Sequence, residues 1–173
     1  MRRKILSISA ALIAALGIIF IGIPNAKADL FDEFAITENT GWCTTANIAA
    51  LDGELDYLYT CADNATQEWS LVTHSTNEYF LKFHVLNSNT GQDMCMQGGS
   101  NLSDRFFIEP CDAGNNNQLF SKYTMPDGNT GWQNVGTSFW INLDGNVLAD
   151  YRDITNWTFV NNAPYEEWVF LGT

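Results

Sequence analysis

Residues 43–69 read CTTANIAALDGELDYLYTCADNATQEW, and residues 95–120 read CMQGGSNLSDRFFIEPCDAGNNNQLF. Laid over each other, Cys43 falls on Cys95, Cys61 on Cys111, and Gln67-Glu68-Trp69 on Gln118-Leu119-Phe120, each about 50 residues further along. A third ending of the same kind, Glu166-Glu167-Trp168, follows at about 50 more. Recurrence at a fixed period means that one supersecondary unit is copied and that the fold is assembled from its copies. The spacing predicts three units, approximately residues 36–78, 79–128 and 129–173.

Inside the units the local signal is strand and turn. Leu55 to Tyr59, Arg105 to Glu109 and Asn156 to Val160 are short runs rich in aromatic and β-branched side chains, each followed by an Asn/Asp/Gly/Ala cluster. A second short apolar run then comes at Glu68 to Val72, Leu119 to Tyr123 and Glu167 to Leu171. No stretch after the N-terminal segment sustains a 3.6-residue apolar period. The chain is expected to be all-β.

The first residues are of another kind. Arg2, Arg3 and Lys4 precede an apolar run from Ile5 to Ile23, which ends in Pro24 and Ala26-Lys27-Ala28; the first acidic residue of the chain is Asp29. A basic start, an apolar centre and small residues at the last and third-last positions describe a secretory signal peptide, residues 1–28, cut after Ala28. An uncleaved anchor is the competing reading, but it gives the small residues no role. The expected mature domain, residues 29–173, carries 4 basic and 20 acidic side chains. Nucleic acid and anionic membranes are therefore excluded as partners, because neutralising phosphates needs clustered Lys and Arg, whereas Lys82, Arg105, Lys122 and Arg152 are scattered. The partner should be neutral, polar or cationic, and the mature chain is not expected to be embedded in a membrane.

Cys43, Cys61, Cys95 and Cys111 form an even set in an exported chain, where disulfides persist. Three pairings are possible. The local one, Cys43 with Cys61 and Cys95 with Cys111, closes two loops of nearly equal size, each stabilising by about 3 kcal/mol on a chain-entropy account. A zinc site would need ligands beyond His74 and His84 and a C-x-x-C pair, which is missing. No metal or other cofactor is expected.

These residues resemble the ricin B-type lectins over roughly residues 36–172. Domains of that family are β-trefoils of three repeats of this length, each ending in Q-x-W and often holding an internal disulfide of this span. The resemblance implies a trefoil of pseudo-threefold symmetry, with Trp69, Phe120 and Trp168 as core residues meeting near its axis. It also implies sugar binding. A sugar ring needs a flat aromatic against its C–H face and planar amide or carboxylate groups for neighbouring hydroxyls. A working repeat of the family supplies Asp two places after its first cysteine, an aromatic two places before the second, and Asn-Gln leading into the Q-x-W.

Carried over position by position, no repeat keeps the whole set. The first has Tyr59 and Gln67, with Thr45 at the Asp position and Thr66 at the Asn position. The second has Asn117 and Gln118, with Gln97 for the Asp and Glu109 for the aromatic. In the third, which lacks cysteines, Leu148 is taken in place of the first cysteine. Asp150 then falls at the Asp position, Trp157 is the nearest aromatic, and Glu166 replaces the Gln.

The expected function is thus a secreted, non-catalytic carbohydrate-binding protein, acting alone or as the cell-binding subunit of a multi-chain toxin, with glycans or glycoconjugates and other toxin subunits as partners. The alternative is a protein-binding trefoil, a protease inhibitor or assembly subunit, presenting Trp42, Trp132 and Trp140. A catalytic His74/His84 pair, a glycosidase carboxylate pair and a Ca²⁺ loop at Asp52, Glu54 and Asp56 each lack a complete motif. Asn64, Asn101 and Asn156 match the N-glycosylation pattern.

Overall fold

The computed structural model describes residues 32–37, 39–47, 49–62, 64–160 and 163–171. The predicted signal peptide lies outside them. The first unit contains β1 (Asp32–Ile36), β2 (Trp42–Thr45), β3 (Glu54–Leu55), β4 (Tyr57–Thr60) and β5 (Glu68–Ser75). The second contains β6 (Glu78–Phe83), β7 (Met94–Gln97), β8 (Phe107–Pro110) and β9 (Leu119–Thr124), and the third β10 (Thr130–Asn134), β11 (Trp140–Leu143), β12 (Arg152–Trp157) and β13 (Trp168–Phe170). Among the described residues there is no α-helix, only 3-10 turns at Asn116–Gln118, Asp144–Asn146 and Pro164–Glu166.

All the pairing is antiparallel. Strands β13, β1, β5, β6, β9 and β10 form a ring in which each pairs with the next, and a bridge between Gly131 and Glu167 closes β10 onto β13. The three hairpins β2–β4, β7–β8 and β11–β12 cap this barrel. They are joined to one another by β4 with β12, β3 with β8, and a bridge from Arg105 to Thr155. A six-stranded barrel capped by three hairpins, one from each repeat, is a β-trefoil.

The core follows the repeat. Trp69, Phe120 and Trp168 are wholly buried in one cluster, as are Phe34, Leu81 and Trp132, which occupy equivalent positions on β1, β6 and β10. The three repeat-ending rings were expected to meet. Each instead has its own aromatic partner: Trp69 tilts on Phe83, Phe120 on Phe106, and Trp168 stacks on Phe34. Both local disulfides are present, Cys43–Cys61 and Cys95–Cys111, each with Cα atoms 5.0 Å apart.

Several sequence expectations need correction. The run Asn156–Val160 is not a strand as a whole; β12 is Arg152–Trp157, because pairing with β4 starts it at Arg152 and pairing with β11 carries it from Ile154 to Trp157. Asp56 interrupts the run at Leu55–Tyr59, and its carboxylate is buried in the core rather than solvated in a turn. Asp52 accepts a hydrogen bond from Asn87 Nδ2 at 2.6 Å, so the acidic run does not converge on one cation. Trp132 and Trp140 are 1% and 8% exposed and Trp42 packs on the core, so these three make no contact surface. Asn156 is buried as well, donating to the Gly99 and Asn101 carbonyls, which leaves Asn64 and Asn101 as the accessible sequons.

Trp69 combines full burial with an indole N–H donated to the Thr44 carbonyl at 3.1 Å, tying the barrel to its cap. Trp69→Ala is expected to lower unfolding free energy by about 3–5 kcal/mol, measured by urea titration of the oxidised protein; a loss under ~1 kcal/mol would contradict this core assignment.

Candidate functional site

Three independent contacts set the correspondence between repeats. Trp69, Phe120 and Trp168 pair with Phe83, Asn134 and Ile36. One residue before these, Lys82, Gln133 and Ala35 pair with Cys95, Trp140 and Cys43. The Trp168 indole donates to the Ile141 carbonyl at 3.2 Å, as Trp69 does to Thr44. The residue equivalent to the first cysteine in the third repeat is therefore Trp140, not Leu148. Because Trp140 pairs with Trp157 as Cys43 pairs with Tyr59 and Cys95 with Glu109, Trp157 stands at the aromatic position.

Two further equivalences follow. Phe159 takes the place of Cys61 and Cys111, and its ring lies 4.9 Å from that of Trp140. An aromatic pair thus replaces the third disulfide, contributing about 0.5–1.5 kcal/mol beyond its burial where the cross-links contribute about 3 kcal/mol. Asn142 replaces Thr45 and Gln97 at the position two after the cysteine. Asp150 does not hold that position. Its Oδ1 accepts from the Thr60 N–H and hydroxyl, both at 3.3 Å, on the far side of the β4–β12 contact.

A cavity of about 260 Å³ opens in the third repeat. Asn142, Asp144, Asn146, Trp157, Val160 and Glu166 contribute to its walls. Its volume is below the ~300–1,000 Å³ of sites for drug-sized ligands and suits a ligand of about one sugar ring. Trp157 is 38% exposed, presenting an indole beside the opening. Asp144 is carried by a tight turn in which Gly145 and Asn146 both have positive φ, 66° and 51°, conformations that Gly and Asn tolerate best. Arg152 Nη1 lies 3.7 Å from the Asp144 carboxylate.

Glu166 is one of the lining residues. In the first two repeats the equivalent glutamine is a brace. Gln67 Oε1 accepts from the Ala62 N–H at 2.7 Å, while its Nε2 donates to Thr45 Oγ1 at 2.9 Å and the Thr60 carbonyl at 3.1 Å. Gln118 repeats this with the Asp112 N–H at 2.8 Å, Gln97 Oε1 at 3.1 Å and the Pro110 carbonyl at 3.0 Å. In the third repeat Glu166 Oε2 accepts from the Val160 N–H at 3.0 Å, but Oε1 has no partner among the described residues. Burial pushes the Glu166 carboxyl up to about 7, with Glu167 adding to the rise and the Val160 N–H opposing it.

The other predicted residues lie elsewhere. Tyr59 sits edge-on to Tyr151 at 5.2 Å, and Tyr151, 68% exposed, also tilts over Tyr57 at 5.3 Å. Asn117 is half-buried beside Gln118, its carbonyl accepting from the Gly98 N–H. At the second repeat's aromatic position is Glu109, whose carboxyl is raised by burial and by Asp52. His84 pairs with Glu68 and His74 rests edge-on against Phe80, so the two histidines do not converge. Sequence reasoning named Trp157 and Glu166 but missed Asn142, Asp144 and Phe159, since without cysteines only strand register identifies them.

No protein-family model and no curated protein matches the sequence. Solved structures do. The chain superposes on the designed threefold-symmetric protein ThreeFoil with a TM-score of 0.70 at 12% identity, over 83% of this chain and 99% of that one. SeviL bound to asialo-GM1 saccharide gives 0.60 at 14% identity, over 83% and 97%. The Haemophilus ducreyi cytolethal distending toxin gives 0.61 at 14% identity, over 81% of each chain.

A carboxyl whose folded pKa is raised favours the folded state only while protonated. Glu166 therefore costs stability increasingly as pH rises from the ordinary carboxylate range through about 7. Glu166→Gln supplies the missing donor and is expected to raise Tm at pH 8 by several degrees more than at pH 5. Equal gains at both pH values in thermal melts would refute the buried-carboxyl account.

Proposed function

We propose that this β-trefoil is a non-catalytic carbohydrate-binding protein whose working site is the third-repeat cavity. The observation that carries the reading is an exposed Trp157 beside a sugar-sized cavity whose walls hold an amide and two carboxylates. The indole offers a flat apolar face to the C–H side of a ring. Asn142, Asp144 and Glu166 provide the planar groups that adjacent hydroxyls require. The fold supports the same reading, because trefoils of this shape include SeviL, whose structure holds a saccharide.

Gln67 and Gln118 act as braces within their repeats, since their amides are already committed to protein partners. Tyr59 with its Tyr151 neighbour and Asn117 provide weaker, accessory contacts. Two disulfides suit an oxidising compartment, and with the basic-apolar N-terminal segment they support secretion. The likeness to the Haemophilus ducreyi toxin supports a role as the cell-binding chain of a multi-chain assembly as well as a role alone.

A protein-binding role has one observation in its favour. Trp157, Phe159 and Val160 are 38%, 44% and 47% exposed and form an apolar ridge by the cavity. Free sugar separates the two readings, since it releases a lectin from its target and leaves a ridge-mediated complex intact.

The test is a broad glycan array probed with the oxidised chain and with Trp157→Ala, Asn142→Ala and Asp150→Ala. Parent binding is expected, with a loss of about two- to tenfold for Trp157→Ala, the size of one aromatic contact. Asn142→Ala should weaken it too, and Asp150→Ala should leave it unchanged. A blank array from folded protein would overturn the proposal, and loss with Asp150→Ala alone would move the site to the first repeat.

A further inference from the structure

We propose, resting on the carbohydrate-binding reading above, that the third-repeat cavity selects a sugar bearing a protonated amine. In the first two repeats the glutamine amide donates into a corner made of two acceptors, a strand carbonyl and the side-chain oxygen two places after the cysteine. By strand register the positions equivalent to that corner in the third repeat are Thr158 and Asn142, and the residue in the glutamine's place is Glu166, whose carboxylate has no hydrogen to give when ionised. Asn142 commits Nδ2 to the Leu143 carbonyl at 2.9 Å. Glu166 itself is wholly buried, and its Oε1 is without a partner among the described residues.

A buried, unpartnered acceptor in a cavity wall is costly unless a donor arrives. A hydroxyl brings one hydrogen. An ammonium brings three, together with the charge that complements Glu166, and a charge-assisted hydrogen bond is roughly twice as strong as a neutral one. The rest of the cavity points the same way. Asp144 is a second carboxylate on the wall, and the cation nearest to it, Arg152, stands 3.7 Å from it without lining the cavity. Trp157 presents an indole, the best ring for attracting a cation to its face. A neutral sugar would satisfy the ring but leave Glu166 without a counter-charge and Asp144 with Arg152 alone; an N-acetylated sugar would remove the charge and add bulk to a cavity of about 260 Å³.

The experiment is calorimetric titration of the full oxidised chain at neutral pH with glucosamine and galactosamine, their N-acetyl forms, and the parent hexoses, with an alkylamine lacking a ring as a further arm. The expected result is at least tenfold tighter binding of a hexosamine than of its acetylated and parent forms, with little binding of the alkylamine. Glu166→Gln should reverse that order, losing tenfold or more for the amine while holding or improving the neutral sugar. Asp144→Asn should reduce the amine preference in part, which provides a second variant should Glu166→Gln fail to fold. Equal or better binding of neutral sugars by the parent protein would overturn the inference and leave the carbohydrate reading standing. Binding of the alkylamine as tightly as the hexosamine would overturn sugar selection, and no binding by any sugar would overturn both.

Discussion

Strand β1 is held from two sides, with Phe34, Ala35 and Ile36 paired to Phe170, Val169 and Trp168 of β13, and Asp32 and Glu33 paired to Trp69 and Glu68 of β5. This contact between the beginning and the end of the described chain closes the barrel. An open ring would expose two unpaired edges, and each repeat alone would leave its apolar face uncovered, since a unit of this size cannot bury a core by itself. Phe34 makes the closure cohesive, because its ring meets Trp132, Trp168 and Phe170 at 4.9–5.9 Å. The cap, the cavity and the register all depend on this ring being complete.

On that frame the same brace is used three times. A side chain three residues after a turn reaches back to an N–H beyond the hairpin, from Gln67 to Ala62, Gln118 to Asp112 and Glu166 to Val160. Two copies use an amide, which both accepts and donates, and are complete within the protein. The third uses an acid and is left incomplete. That single change of NH₂ to O leaves an acid in the wall of the third-repeat cavity, with its pKa displaced toward neutrality. Loss of the disulfide in the same repeat is offset by Trp140 against Phe159, so the third repeat differs from the others at both places where they are fastened.

A second buried acid, Asp56, has a different meaning. It occupies the position held by Phe106 and Ile154 in the other repeats, its N–H donating to the Phe106 carbonyl as Phe106 donates to Ile154. Burial raises its carboxyl well above the usual range, and neither oxygen has a partner among the described residues. Closed to solvent and not among the residues that line the cavity, it is a polar residue in an apolar threefold position and weakens the core as pH rises.

The amino-acid sequence determined the all-β class and the threefold period, because cysteines and Q-x-W endings recur at an interval set by one folded unit; it favoured the local disulfides among three possible pairings, and the structure holds that pair. It also carried Trp157 and the replacement of Gln by Glu166. It misplaced Asp150 and Leu148 and proposed exposed roles for Trp132 and Trp140. Alternation along one strand cannot show which of two registers a hairpin adopts, and a slip of register carries each residue to a new neighbour. Only the closed tertiary structure decided that register. Pairing across β10, β11 and β12 brought Asn142, Asp144, Trp157 and Glu166 to one cavity from residues up to 24 apart in sequence, a convergence produced by strand register within the third repeat and not encoded in any local run.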